Sequence, residues 1–329
     1  MNRIIITGGN GFIGKHLTKK ILSFQPDSIV LICNTSSIRA SKLQDKTLRQ
    51  DGPLKFYTAD IRDKKAISDI FRVERADTCV HLAAKISVSE SIKNPNETMD
   101  INVNGTTNVL EACHRNNVST FVFASSAAVY GDVKELPIRE DHSLEPLSPY
   151  GTSKMLAEQL VLSYNKLKKI QNTAILRIFN PYGEGQTGQH DVMTSFAARL
   201  KKRLPPIIYG DGAQTRDFIS VDDIVDAMVL TIGVIEEKKN EKRKKLLELQ
   251  PVFNLGTGRP TSIKELAHKM IRISNIDLQP IYMAAPENRN EAIHSYADTT
   301  KSKEILGFVA KKRVETGLRE IMDQKKIGS

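Results

Sequence analysis

The run Arg3-Ile4-Ile5-Ile6-Thr7-Gly8-Gly9-Asn10-Gly11-Phe12-Ile13-Gly14 constrains the fold more than any other part of this chain. A short β-rich run passes directly into glycines at three-residue spacing, Gly8, Gly11 and Gly14. An apolar pattern of helical period comes next, from about residue 12 to about residue 24. A strand that turns this sharply into a helix gathers free backbone N–H groups and the positive end of the helix dipole at one point. Residues without side chains let a pyrophosphate approach there, and Gly14 lets helix and strand pack closely. A glycine triplet alone is weak, but one set between a strand and a helix is a strong sign of a dinucleotide site. The apolar run is also too short for a secretory leader, and it is needed as a strand.

Beyond this turn the pattern is regular. Strand-like runs recur at 28–33, 54–58, 78–82, 120–124 and 174–178, with helical patterns between them at about 64–73, 97–116 and 152–168. Alternation of this kind predicts an α/β fold, a Rossmann-type doubly wound parallel sheet covered on both faces. Past about residue 180 the regularity drops. Loop signals such as Asn180-Pro181-Tyr182-Gly183, Gly210-Asp211-Gly212 and Gly256-Thr257-Gly258 become common. The expected division is 1–180 as the nucleotide-binding domain and 181–329 as mainly a smaller C-terminal substrate lobe, with late segments returning to the sheet. The nearly all-charged stretch 236–245 carries no assigned chemistry.

Net charge is +10, which raises the question of nucleic acid. The basic clusters, Lys166-Leu167-Lys168-Lys169 and Lys242-Arg243-Lys244-Lys245 among them, have no interleaved aromatics, and tryptophan is absent. There is no stacking platform, so a nucleic-acid partner is not expected. A basic protein with a pocket favours a phosphorylated substrate instead. Three scattered cysteines, Cys33, Cys79 and Cys113, lie in or beside apolar runs and read as buried thiols. No Cys/His cluster has zinc spacing, and no apolar stretch reaches membrane-spanning length. A cytoplasmic protein without metal or membrane partner is expected.

The chemistry is carried by Pro149-Tyr150-Gly151-Thr152-Ser153-Lys154 and by Ser126 upstream. Tyr150 and Lys154, four apart on a helix, share a face. A free tyrosine titrates near pH ~10, and a neighbouring ammonium favours its phenolate. Bringing it to neutrality takes roughly 4 kcal/mol of differential interaction, within reach of a charge plus a cofactor cation in a dry site. With Ser126 on the same oxygen, the set can move a proton on or off a sugar or alcohol hydroxyl. Cofactor choice is open at the end of the second strand. That strand runs into Asn34 and continues to Arg39 without a carboxylate. Asn34 suits a ribose hydroxyl and Arg39 suits a 2′-phosphate, so NADP stands beside NAD. Asp60 either accepts from the adenine amino group or caps a helix.

Taken in order, Gly8 to Gly14, Asp60-Ile61-Arg62-Asp63, His81-Leu82-Ala83-Ala84, Asn102-Val103-Asn104-Gly105-Thr106, Ser125 to Gly131 and Tyr150-x-x-x-Lys154 resemble the extended short-chain dehydrogenase/reductases. More narrowly the chain is similar to the nucleotide-sugar 4-epimerases of the UDP-glucose/UDP-N-acetylglucosamine type. The likeness continues through Leu176 to Gly183, Tyr209 to Ile219 and Asn254 to Gly258. It implies NAD as cofactor, a UDP-sugar substrate and a homodimer through the helices near 97–116 and 152–168. It implies Ser126, Tyr150 and Lys154 as the catalytic set. Cofactor contacts implied are Gly8, Gly11, Phe12, Ile13, Gly14, Asn34, Asp60, Ile61, Leu82, Ala83 and Ala84, besides Tyr150 and Lys154. Substrate contacts implied are Ser87, Ser126, Asn180, Arg216, Arg289 and Ser295. Around Arg289 the match is imperfect, because Pro286-Glu287-Asn288-Arg289-Asn290-Glu291 lacks the usual glycine.

Related 4,6-dehydratases carry Asp-Glu where this chain has Ala127-Ala128, and related decarboxylases carry Glu at Ala128. Without those acids, the site is left with oxidation and re-reduction of a carbinol carbon, which favours epimerisation at C4 through a transient 4-ketohexose. Ser295 is small, which in such epimerases admits a 2-acetamido sugar. Two rival readings stand: a reductase that releases NADP after one hydride transfer, and a non-catalytic dinucleotide sensor or scaffold. The second is disfavoured by the presence of all three of Ser126, Tyr150 and Lys154.

Overall fold

A computed structural model describes residues 3–34, 52–186, 191–236, 241, 245, 251–285 and 292–323. Six strands come in the expected places: β1 (Arg3–Thr7), β2 (Ser28–Cys33), β3 (Leu54–Thr58), β4 (Thr78–His81), β5 (Thr120–Ser126) and β6 (Asn172–Ile178). The late strand β10 (Val252–Leu255) joins them, giving a seven-stranded sheet in the order β10, β6, β5, β4, β1, β2, β3. Every neighbour in it is parallel. β1 lies inside the sheet, and the chain leaves it in one direction for β2 and β3 and in the other for β4, β5 and β6. The two directions diverge at the C-terminal end of β1, where the glycine turn sits. This is the position at which open α/β sheets bind ligands.

Both faces of the sheet are buried, as the near-continuous apolar strands require. Ile4 and Ile6 point to one face, where Leu17 and Ile21 of α1 (Phe12–Leu22) and Ile224 and Met228 of α8 (Val221–Glu236) cover them. Ile5 points to the other, among Ile67 and Phe71 of α2 (Lys64–Glu74), Val109 and Cys113 of α5 (Gly105–Arg115), and Ala157 and Val161 of α6 (Pro149–Lys166). The apolar stripes read at 97–116 and 152–168 thus pack within one chain to a large extent. All three cysteines are free and buried.

Two local features depart from the sequence reading. The helix expected over 97–116 is divided: α4 (Pro95–Met99), a π-helical turn Asp100–Asn104, then α5. β5 runs two residues further than expected, and so carries Ser126 at its C-terminal end.

The second lobe is built from short strands. β7 (Asn180–Tyr182) pairs with β9 (Thr215–Ser220), which also pairs with β11 (Pro260–Ser262) and with β13 (His294–Ser295). A separate parallel pair joins β8 (Ile207–Tyr209) to β12 (Ile281–Met283). Helices α7 (Val192–Lys201), α9 (Ile263–Ser274) and α10 (Val314–Asp323) enclose a third core around Phe196, Leu266, Met270 and Leu318.

Candidate active site

At the glycine turn, Gly8 N–H donates to the Ile32 carbonyl at 2.8 Å and Leu82 N–H to the Thr7 carbonyl at 3.1 Å. A Cβ on Gly8 would lie 2.8 Å from the Ala83 nitrogen, and one on Gly14 would lie 2.5 Å from the Gly8 carbonyl oxygen. Both positions therefore exclude a side chain. Gly11 begins α1 with no side-chain cap, and the first turn carries no acidic residue. The amides of Phe12 and Ile13 have no acceptor among the described residues. An uncapped helix start with orphan N–H groups fits the pyrophosphate of a dinucleotide.

Around this turn the other expected cofactor residues take varied places. Asn34 is exposed just past β2, and Arg39 lies outside the described residues. Asp60 is not a helix cap: Asp63 caps α2, accepting from Ala66 N–H at 3.0 Å. Asp60 instead receives the Arg62 guanidinium at 2.7 Å and the Arg62 amide at 2.9 Å, and that guanidinium holds its carboxyl below the usual range. Ile61 is buried against Gly105 of α5. Leu82, Ala83 and Ala84 are half-buried beside Gly8.

The residues expected to handle the proton meet because α6 approaches the end of β5 closely. Ser148 caps α6, accepting from Gly151 N–H at 3.1 Å, with Pro149 in the first turn. A Cβ on Gly151 would lie 2.5 Å from the Ala128 carbonyl oxygen. Glycine is what lets the helix press onto the turn Ala127–Val129, next to Ser126. The Ser126 hydroxyl lies beside the Tyr150 phenol and favours its ionised form. Sequence reading missed a support from below: Tyr150 N–H donates to Ser91 Oγ at 3.1 Å, and Ser91 belongs to α3 (Val88–Lys93).

Electrostatics here differ from expectation. Burial pushes the Tyr150 phenol up, and only the Ser126 hydroxyl opposes it. Lys154 does not act on Tyr150 within the protein's own groups. Its ammonium donates to the Ala124 carbonyl at 2.8 Å and lies 4.8 Å from the centre of the Phe123 ring. Burial lowers its pKa to about 8, with the Glu158 charge opposing. The i, i+4 spacing put the two side chains on one helix face, but the nearest strand carbonyl captures the ammonium.

A cavity of about 170 Å³ joins the two halves of the site. Ser126, Ala127, Ala128, Tyr150, Asn180, Arg216 and Ser295 all line it. β9 explains the convergence: it sets Asn180 opposite Phe218 on one side and Ser295 opposite Arg216 on the other. Asn180 Nδ2 donates to the Asp217 carbonyl at 3.2 Å, and Arg216 Nη1 donates to the Thr215 and Ile293 carbonyls at 2.9 and 3.2 Å. Asp217 itself, fully buried, accepts from the Thr257, Gly258 and Ala297 amides and ties these segments together. Nothing in the sequence reading singled it out. Ser87 does not line the cavity; it caps α3, and its neighbour Val88 lines it instead. Arg289 lies outside the described residues. A larger cavity of about 460 Å³ opens at the opposite end of the sheet, between Arg3, Arg72, Arg75, Asp77 and Arg115, and holds none of the residues chosen from sequence.

The family model described as NAD dependent epimerase/dehydratase matches residues 4–256. The chain belongs to that family. A Methanocaldococcus jannaschii protein provisionally named UDP-glucose 4-epimerase is 35% identical, over 98% of each chain. A crystal structure of UDP-glucose 4-epimerase from Thermotoga maritima with UDP-glucose superposes with a TM-score of 0.85 at 30% identity, covering 98% of each chain. The Thermus thermophilus UDP-glucose 4-epimerase in complex with NAD superposes with a TM-score of 0.82 at 28% identity, again covering 98% of each. The expected place among the nucleotide-sugar 4-epimerases is thereby borne out, and with it the Rossmann-type fold and NAD as the cofactor. Among the described residues no helix is long and apolar enough to cross a membrane, and no group of His, Cys, Asp and Glu is placed to hold a metal.

Proposed function

We propose that this chain interconverts UDP-hexoses at C4, passing through a 4-ketohexose, with Ser126, Tyr150 and Lys154 handling the proton. The observation that carries this reading is the single cavity that unites Ser126 and Tyr150 with Asn180 and Arg216 and has only Ala127 and Ala128 beside the serine. Proton-transfer groups and a phosphate-binding cation face the same space, and no further acid adjoins the serine to eliminate or decarboxylate.

Tyr150 receives the C4 hydroxyl proton and returns it, with Ser126 bonded to the same oxygen. Its raised pKa suits the returning step, since the phenol is an acid that holds its proton until the alkoxide forms. The accepting step needs positive charge nearby, which Lys154, its ammonium turned to the Ala124 carbonyl, does not itself put on Tyr150. The amides of Phe12 and Ile13 would hold NAD at the glycine turn, where it would supply the hydride acceptor and, oxidised, the positive charge that the accepting step needs. Asn180 and Arg216 hold the diphosphate side, where a guanidinium binds two oxygens at once. A firm diphosphate grip and a weakly bonded sugar let the ketose present its other face before the proton returns. Ser295, small and opposite Arg216, leaves room for a 2-acetamido group, so UDP-GlcNAc and UDP-GalNAc are substrates as well. A homodimer through α6, which still exposes Leu156, completes the reading; sedimentation as a monomer at all concentrations contradicts it.

The test is incubation of the purified protein with UDP-galactose and no added cofactor. UDP-glucose forms, with the bound nicotinamide unchanged at the end. Conversion only with stoichiometric NADPH overturns the reading.

A further inference from the structure

His81 ends β4, is 1% exposed, and takes no part in the proton chemistry above. Its ring packs 5.9 and 5.7 Å from the rings of Phe121 and Phe123. Nδ1 lies 2.6 Å from Thr7 Oγ1, and Nε2 lies 2.9 Å from Thr106 Oγ1. The directions of these bonds follow from counting hydrogens. A threonine hydroxyl has one, and that of Thr106 is given to the Asn102 carbonyl at 2.6 Å. Thr106 therefore accepts from His81, so Nε2 carries the proton and Nδ1 is bare. Thr7 then donates to Nδ1, while its oxygen accepts the Ala83 amide at 3.3 Å. One tautomer of the neutral ring satisfies every contact. Burial, with the Lys154 charge adding to it, pushes the imidazole pKa down to about 3 and keeps the ring neutral.

The two ends of this chain of bonds reach the two halves of the site. Thr7 precedes Gly8, and Ala83 is the backbone on which Gly8 packs. At the other end, Asn102 sits in the π-helical turn and bonds both the amide and the carbonyl of Lys85, at 2.8 and 2.9 Å. It also donates to Ser153 Oγ at 2.8 Å, and Ser153 donates to the Tyr150 carbonyl at 2.7 Å. We propose that His81 is a positioning residue: through Thr7, Thr106, Asn102 and Ser153 it fixes the glycine turn that holds the cofactor in relation to Tyr150. The inference rests on the epimerase reading of that site. Hydride and proton transfer at one carbon demand a fixed distance between the cofactor and Tyr150, and small displacements of such groups are costly.

Thr106→Val removes the hydroxyl and keeps the shape; Thr106→Ser keeps the hydroxyl. Thr106→Val is expected to lower kcat about tenfold, to leave KM for UDP-galactose within about twofold, and to reduce the nicotinamide that stays with the protein through gel filtration. Thr106→Ser is expected to restore both. His81→Phe, a ring the Phe121 and Phe123 contacts accept, moves the same quantities in the same direction if it folds. Wild-type kcat and full nicotinamide retention in Thr106→Val overturn the proposal, whatever happens to its melting temperature. So does equal impairment of the Val and Ser variants. A wild-type protein without epimerase activity overturns the functional reading instead, and nicotinamide retention in Val against Ser then decides the positioning role alone.

Discussion

The two sides of the cavity are built by different means. On the cofactor side, Ser126 ends a strand of a sheet buried on both faces and Tyr150 stands on α6, which packs against that sheet, and each is held by further bonds, the Ser91 bond to the Tyr150 amide among them. On the substrate side, Asn180, Arg216 and Ser295 stand on strands of two to six residues that meet through β9. A rigid wall faces a wall assembled from short pieces. The difference fits a reaction in which hydride and proton must travel along a fixed line while the sugar turns between two presentations. Precision is needed where bonds change and tolerance where the substrate moves.

The largest way to break this comparison is Tyr150→Phe. It should lower kcat by roughly 10³-fold, since it removes the group that moves the proton, and leave UDP binding near its wild-type value. A comparable rise in KM would mean that the rigid wall also carries the grip. Next in size is Arg216→Ala. Losing a charge-assisted contact to phosphate should raise KM about 10- to 100-fold, with a smaller change in kcat, as read from initial rates. A collapse of kcat with KM unchanged would erase the distinction between the walls.

Acid should loosen the rigid side. His81 stays neutral in the fold down to about pH 3, whereas in the unfolded chain it protonates near pH ~6.5. Between those values the unfolded chain binds the extra proton, so stability falls as pH falls. From pH 6.5 to pH 5 the loss from this group is about 2 kcal/mol. Denaturant midpoints across that range should show it, and His81→Phe should flatten the slope. The smallest effect on the plain sugars belongs to the tolerant side. Ser295→Tyr should cost them less than about fivefold while abolishing turnover of UDP-GlcNAc, because only added bulk is refused. Equal losses for both sugars would show that Ser295 does not read sugar size.

The sheet was legible because its signals are local. Each buried parallel strand is a short apolar run, and the glycine turn follows the first of them directly. The divided helix at 95–115 was not legible, since its π-helical turn coincides with long-range bonds from Asn102 to the Lys85 backbone that no periodicity announces. The site was legible in its named side chains and obscure in their relations. Tyr150 and Lys154 share a helix face, but the carbonyl that takes the ammonium belongs to Ala124, thirty residues earlier. Asp60 looked able to cap α2, and only the geometry gives the cap to Asp63 and leaves Asp60 as the partner of Arg62. Asp217 is a single carboxylate beside a more conspicuous arginine, and its work is to gather amides from segments 40 and 80 residues away.

The central claim is that hydride leaves C4 and returns to the same carbon within one bound complex, while Tyr150 carries only the proton. UDP-galactose carrying deuterium at C4 tests it most directly, followed by NMR of the UDP-glucose formed in ordinary water. The account predicts that the deuterium stays at C4 of the product. Its loss to solvent would contradict the account, since C4 would then have exchanged its hydrogen as a proton.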